Sequence, residues 1–259
     1  MLQPLWVHAD GVEILARPRD FPSVIEGLFV GPDGLNGWED GGGDVRRESV
    51  ERPASIGEFD LPVYEGPLVF SMEGHALAQS EQQLAVLRDR VTGVGYGGRR
   101  FKVAVGLQGR ELWTWVRRGS KPTFRDTGRR GRLLQASFML QFVAPIPRRY
   151  GQERLVPAGE AAVNRGNEEA VPRLLIGAGA GGYTVTGPGG RVITANANAP
   201  AAAHFIDFST GGLFNAAGGR VPNAITVWQP WKIPPGLPGV VATISTSRSL
   251  TQAYPDTFN

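Results

Sequence analysis

Two glycine runs, three histidines, scattered carboxylates and a Trp-x-x-Trp motif are the residues whose types and spacing could carry chemistry. Gly177-Ala178-Gly179-Ala180-Gly181-Gly182 follows an apolar run and fits the dinucleotide pattern G-x-G-x-x-G. That chemistry needs a helix to begin there, so that its first N–H groups meet the pyrophosphate. Here the chain continues Tyr183-Thr184-Val185-Thr186-Gly187-Pro188, which reads as strand and turn. The acidic residue expected about 20 positions further on is missing too. Gly93-Val94-Gly95-Tyr96-Gly97-Gly98 fits the same pattern but lies after a helix, so it reads as a helix exit.

His8, His75 and His204 are far apart, without the paired spacing of metal ligands. Glu39, Asp40 and Asp44 supply carboxylates of the kind calcium takes, in a spacing that fits no EF-hand loop and reads as a polar turn. Glu168 with Asp207 could be paired for glycoside hydrolysis, but nothing in the sequence sets their separation. No serine sits in a G-x-S-x-G elbow. The expectation is therefore no enzyme, no catalytic residue, no metal and no cofactor.

Trp228-Gln229-Pro230-Trp231 has two readings. Trp228 and Trp231 could stack on sugar rings in a carbohydrate-binding module, or one could fill a sandwich core while the other covers its edge. The stretch 99–132 holds 11 basic and 2 acidic residues. Arg117, Arg118, Arg129 and Arg130 fall here, at expected strand ends and turns. Three readings stand: solvated loops, ion pairs to a neighbouring subunit through the forked guanidinium, or contact with nucleic-acid phosphates. Aromatics do not interleave as a single-strand binder requires.

The elements that must position these residues are mostly strands. Trp6 to Val30 reads as short strands broken at Arg17-Pro18 and Phe21-Pro22, and Gly31 to Asp44 as a loop. Residues 58–73 read as extended, with Pro62 and Pro67 suggesting an edge or interrupted strand. Ser80 with Gln83 forms a capping box, and Leu84, Leu87 and Val91 then make one apolar stripe. Phe101, Val103, Val105 and Leu107 alternate with smaller or polar residues, and Leu112 to Val116 returns as the hairpin partner. Leu134, Ala136, Phe138, Leu140 and Phe142 share one strand face.

Beyond the polar joint Asn164–Pro172, strand candidates are Arg173–Ile176, Tyr183–Thr186, Arg191–Thr194, His204–Phe208, Ala224–Trp228 and Val240–Ile244. Their spacing suggests a jelly-roll β sandwich. Charge thins out across the joint: residues 1–150 carry 20 Lys/Arg and 18 Asp/Glu, and residues 151–259 carry 7 and 6. Domains are expected at 1–157 and 158–259.

The chain has 259 residues with 36 glycines, 20 prolines and no cysteine, which fits a turn-rich β protein without disulfides or thiolate metal sites. Met1-Leu2-Gln3-Pro4-Leu5-Trp6 lacks a signal-peptide pattern, and no apolar run approaches the roughly 18 residues of a membrane span. A soluble protein made in a cytoplasm is expected.

The order of parts resembles the distal tail proteins of long-tailed, non-contractile bacteriophages. The resemblance rests on Glu51-Arg52-Pro53-Ala54-Ser55-Ile56-Gly57, the strand ending Phe70-Ser71-Met72-Glu73-Gly74, the capped helix, the hairpin sheet and Phe138–Phe142. It continues in Asn164-Arg165-Gly166-Asn167-Glu168-Glu169-Ala170-Val171-Pro172 and in Phe205-Ile206-Asp207-Phe208. It implies a mainly β protein. The N-terminal α+β domain would be tail-tube-like, with one helix, and would assemble as a homohexameric ring. The C-terminal domain would be a galectin-like β sandwich outside that ring. Implied partners are further copies of the chain, the tail tube protein and the tail-tip hub, with DNA passing the channel without specific binding and no membrane involved. The implied location is the distal tail of the virion, reached from the host cytoplasm during assembly.

Overall fold

The computed structural model describes residues 5–16, 26–53 and 55–259, apart from the side chains at 33 and 130. The breaks expected at Arg17-Pro18 and Phe21-Pro22 lie outside the described residues. The chain is mainly β and divides into two compact units, Met1–Arg149 with Asn259, and Tyr150–Phe258.

In the first unit, β1 (Trp6–Ala9) and β2 (Val12–Leu15) form a hairpin turned by Asp10 and Gly11, both at positive φ. Next come β3 (Gly27–Asn36), the short β4 (Val45–Arg46) and β5 (Tyr64–Glu65), and the long β6 (Leu68–Ala78). Helix α1 (Glu81–Gly93) leads to β7 (Phe101–Leu107), β8 (Arg110–Arg118), β9 (Thr123–Arg130) and β10 (Leu133–Ala144). The order β8-β7-β1-β2-β3-β6-β10 closes on itself, because β10 also meets β8 at Phe142↔Arg118 and Val143↔Arg117. The result is a seven-stranded, barrel-like sheet, with β9 pairing along the first part of the same β10 edge.

Alternation explains the closure. Val103, Val105, Phe70, Met72, Phe138, Leu140 and Phe142 are buried in one cluster, while their neighbours along each strand face outward. Each buried aliphatic or aromatic side chain contributes about 1.5–3 kcal/mol. The helix is the one the sequence predicts: Ser80 and Gln83 make both bonds of the capping box, and Leu84 and Val91 are buried.

Two strands differ from expectation and a third meets it in part. Gly31-Pro32-Asp33-Gly34 lies inside β3, where the register with β6 shifts between Val30 and Leu35. It is a bulge, so turn-forming residues sit within a strand. Residues 58–73 are interrupted at Gly66-Pro67, between β5 and β6, which is one of the two readings of their prolines; β6 itself is flanked by β3 and β10 and is no edge strand. The arginine-rich segment 125–130 is the body of β9, not a turn. Charge hides it because residues 125–129 are all exposed on an edge strand, leaving no apolar alternation to read.

The second unit contains β11 (Arg149–Pro157), β12 (Ala161–Ala162), β13 (Arg173–Ile176), β14 (Tyr183–Thr186), β15 (Val192–Ala195) and β16 (His204–Asp207). They are followed by β17 (Gly212–Asn215), β18 (Ile225–Trp228), β19 (Val240–Val241), β20 (Thr243–Ile244) and β21 (Leu250–Phe258). One sheet runs β17-β16-β13-β21-β11 and the other β18-β15-β14-β20, with β12–β19 as a separate pair. Leu174, Ile206, Leu213 and Tyr254 of the first sheet share a core with Val185 and Ile193 of the second, which makes a β sandwich.

The division at 149/150 precedes the 157/158 expected from sequence. The polar joint belongs wholly to the sandwich. Asn164 is fully buried; its amide donates to the carbonyls of Glu168 (2.6 Å) and Ile233 (3.3 Å). Its Oδ1 accepts from the N–H groups of Gly166 (2.9 Å) and Thr257 (3.2 Å). A Cβ on Gly166 would stand 1.7 Å from the Thr257 carbonyl oxygen, so only glycine fits. What reads as a linker is stapled to the sandwich through the buried Asn164.

Candidate functional site

In the first unit, the two-residue turn Gln108-Gly109, both at positive φ, sets the β7–β8 register at Leu107↔Arg110. That register puts Lys102 opposite Trp115 and Ala104 opposite Trp113. The outward face therefore carries Arg100, Lys102, Trp113, Trp115 and Arg117, with Glu111 nearest the turn. Arg100 lies over the Trp115 ring at 5.2 Å, and the Lys102 ammonium over Trp113 at 4.4 Å. The two indoles meet edge to face at 6.2 Å. Cations and aromatics do interleave here, across two strands, where a reading along one strand could not find them. The signal was the Trp-Thr-Trp alternation of residues 113–115.

The four candidate interface arginines have different settings. Arg118 donates to the carbonyls of Thr92 (3.2 Å) and Val94 (3.3 Å), at the C-terminal end of α1. It satisfies carbonyls that the helix leaves without partners and complements the helix dipole. Arg117 donates to the Gly98 carbonyl. Arg129 is exposed on β9 opposite Leu134, and Arg130 takes the next pairing, opposite Leu133. Arg99 is joined to Asp10 at 2.6 Å. Part of the basic stretch thus holds the fold together, and Arg100, Lys102 and Arg117 pair with no carboxylate among the described residues.

A second surface escaped the sequence reading. Between β3 and β6 the described residues of 39–66 make one long excursion, paired as a hairpin at Val45↔Glu65, Arg46↔Tyr64 and Glu51↔Glu58. Its base is fixed where a Cβ on Gly43 would fall 2.0 Å from the Gly66 carbonyl oxygen, and where Gly66 N–H bonds to the Asp44 carbonyl at 2.7 Å. Glu65 there accepts from Arg148 and from the Asn259 amide, each at 2.7 Å. The Arg148 hydrogen bond holds its carboxyl below the usual range. Toward the tip, Arg47 and Ser49 both bond Glu58, and Arg52 covers Phe59. Yet Val45, Val50, Ile56, Phe59, Val63 and Tyr64 are all exposed, Ile56 completely. Soluble chains seldom leave so many large apolar groups uncovered together.

In the sandwich, Trp231 is 3% exposed, edge to face with Phe208 at 5.0 Å, and its ring packs where a Cβ on Gly187 would be. A ring so enclosed has no face to offer a sugar. Trp228, 37% exposed on the edge strand β18, leans on Phe208 at 5.6 Å. Phe208, Trp231, Pro230, Pro234 and Pro238 line a cleft of about 1020 Å³, with the Lys232–Glu169 ion pair (2.6 Å) at the same cleft.

The remaining chemical candidates do not converge. His8 bonds Glu13 at 3.1 Å, His75 lies beside Gln135, and His204 bonds the Tyr183 hydroxyl at 2.7 Å. No group of three or more metal-ligating side chains occurs among the described residues. Asp207 accepts from Ser209 and Thr210; burial raises its pKa, and those hydrogen bonds outweigh the burial and hold it low. Glu168 uses its backbone N–H on Thr257. The loop 177–182 passes from β13 into β14 with no helix, and a buried Arg248 gathers its Gly177 and Gly181 carbonyls.

No protein-family model and no curated protein matches the chain. Solved structures do. The Dit protein of phage SPP1, described as a paradigm of the hub adsorption apparatus in phages infecting Gram-positive hosts, aligns with a TM-score of 0.70 at 11% identity. The alignment covers 99% of this chain and 100% of that one. The chain has the Dit fold. Two structures of the phage P2 baseplate in its activated conformation, with calcium and with strontium, align at TM-scores of 0.50 and 0.51 and 6% identity. They cover 98% and 96% of this chain, and 98% and 97% of their own. These alignments run through both units of this chain, and the likeness is one of fold.

Proposed function

We propose that this chain is a structural protein of a phage tail tip: a hexameric adaptor ring joining the distal end of the tail tube to the tail-tip hub and its host-recognition proteins. On this reading the barrel unit is tail-tube-like and forms the ring, and the sandwich is galectin-like. Copies of the chain, the tail tube protein and the hub are the partners; DNA crosses the channel unread. The role is assembly in the host cytoplasm and residence in the virion, with no catalysis.

The observation that carries the reading is the full-length match to SPP1 Dit, 99% of one chain on 100% of the other. The exposed apolar hairpin 39–66 supports it, because such a surface is stable in water only when something covers it. Arg117, Arg129 and Arg130 belong on this reading to subunit contacts, while Arg118 serves the helix. The carbohydrate-binding reading loses Trp231 to the core and keeps only Trp228.

Light scattering on the purified chain, with negative-stain images of the same peak, tests the proposal. Six-fold rings with a central hole are expected, alone or after addition of tube and hub proteins. A chain that stays monomeric at every concentration, with and without those proteins, would refute it.

A further inference from the structure

We infer that the hairpin 39–66 of one copy seats on the β7–β8 face of the next, its acidic and apolar side chains meeting the cation-and-tryptophan ladder there. The inference deepens the assembly reading and rests on it.

Charge is segregated within the barrel unit. The hairpin carries Glu39, Asp40, Asp44, Glu48, Glu51, Glu58, Asp60 and Glu65 against only Arg46, Arg47 and Arg52. Glu58 and Glu65 are paired with Arg47 and Arg148. Asp44, Glu48, Glu51 and Asp60 have no ion-pair partner among the described residues. The β7–β8 face presents the opposite sign on Arg100, Lys102 and Arg117, against the single carboxylate Glu111 at its turn end, around Trp115, which is 40% exposed. No carboxylate of the hairpin reaches those cations within one copy. Two complementary surfaces on one chain, neither satisfied by the other in that chain, make a head-to-tail contact, and such contacts close into rings when the rotation allows.

Chemistry favours a second copy over other occupants. The hairpin offers Val50, Ile56 and Phe59 beside its carboxylates, and the face offers indoles beside its cations, so burial of one covers the other. The hairpin is already shaped by its own bonds, Phe59 N–H to the Val50 carbonyl at 3.0 Å and Arg52 N–H to the Gly57 carbonyl at 3.2 Å. Little ordering entropy is then lost on docking.

Charge exchange tests it. Lys102→Glu with Arg117→Glu reverses the face; Glu51→Lys with Asp60→Lys reverses the hairpin. Each double variant should assemble only at about tenfold or more higher concentration than the unaltered chain, since like charges then face each other. Mixing the two variants one to one should restore assembly, because an alternating ring pairs altered with altered and native with native. Circular dichroism and melting of each variant alone check that it folds, and zero-length cross-linking of mixed isotope-labelled copies should join Lys102 to the hairpin carboxylates between copies. If the unaltered chain assembles and both variants assemble equally well, the hairpin does not seat on this face, although the ring reading stands. If neither the unaltered chain nor any mixture assembles with tube and hub proteins present, the ring reading itself fails. Binding of a labelled oligothymidylate that the face variant loses, with assembly unchanged, would assign the face to polyanions and overturn the inference.

Discussion

At the scale of single residues, the same residue type does different work a few positions apart. Arg118 closes the end of α1 through the Thr92 and Val94 carbonyls. Arg118→Met keeps the aliphatic stem but leaves those carbonyls without a donor, and should cost about 1–2 kcal/mol in chemical unfolding. His204 sits between the Tyr183 hydroxyl and the Ala202 carbonyl. Burial lowers its pKa; the Ala202 bond opposes this, and the nearby Arg248 charge lowers it further. The unfolded chain therefore binds this proton more readily than the folded one. Stability from neutral His204 is complete above its unfolded value of about 6.5 and is lost as pH falls from there through the folded value. Thermal melting of the native chain should drop more steeply between pH 7 and pH 5 than that of His204→Gln. Parallel pH profiles would show that the histidine binds its proton equally well in both states.

At the scale of elements, closure of the barrel depends on a few close approaches. A Cβ on Gly74 would lie 2.3 Å from the Phe138 ring and 2.5 Å from the Phe29 carbonyl oxygen. The backbone contact cannot move away without opening β3–β6, where Val30 pairs with Gly74. Gly74→Ala should therefore destabilise by about 1–3 kcal/mol, read as a shift of the urea midpoint. Strands with one dry face, β7 and β10, were legible because alternation survives in them. β9, exposed along an edge, and β21 were not. In β21 the polar residues Gln252, Asp256 and Thr257 are all buried, which erases the apolar period. Asp256 is kept there by Arg154 at 2.7 Å and by the Arg165 N–H at 2.8 Å, partners that come from elsewhere in the chain.

At the scale of the whole molecule, two separate cores predict two separable unfolding events. Phe142→Ala in the barrel and Leu174→Ala in the sandwich each remove a fully buried side chain, at about 2–5 kcal/mol. In calorimetry each variant should lower one transition and leave the other in place. A single transition shifted equally by both would mean that the units unfold as one.

The sequence by itself determined the mainly β class, the capped helix with its Leu84 and Val91 face, the β7–β8 hairpin and the resemblance whose fold the solved structures bear out. These are local patterns, written in periodicity, caps and turns within about a dozen residues. Tertiary structure alone decided that β10 closes the barrel on β8, that Asn164–Pro172 is stapled to the sandwich, and that Trp231 is core while Trp228 is edge. It also set Arg100 and Lys102 over Trp115 and Trp113. Each of these depends on contacts across a strand register or between segments distant in sequence, which the periodicity along a single strand does not record.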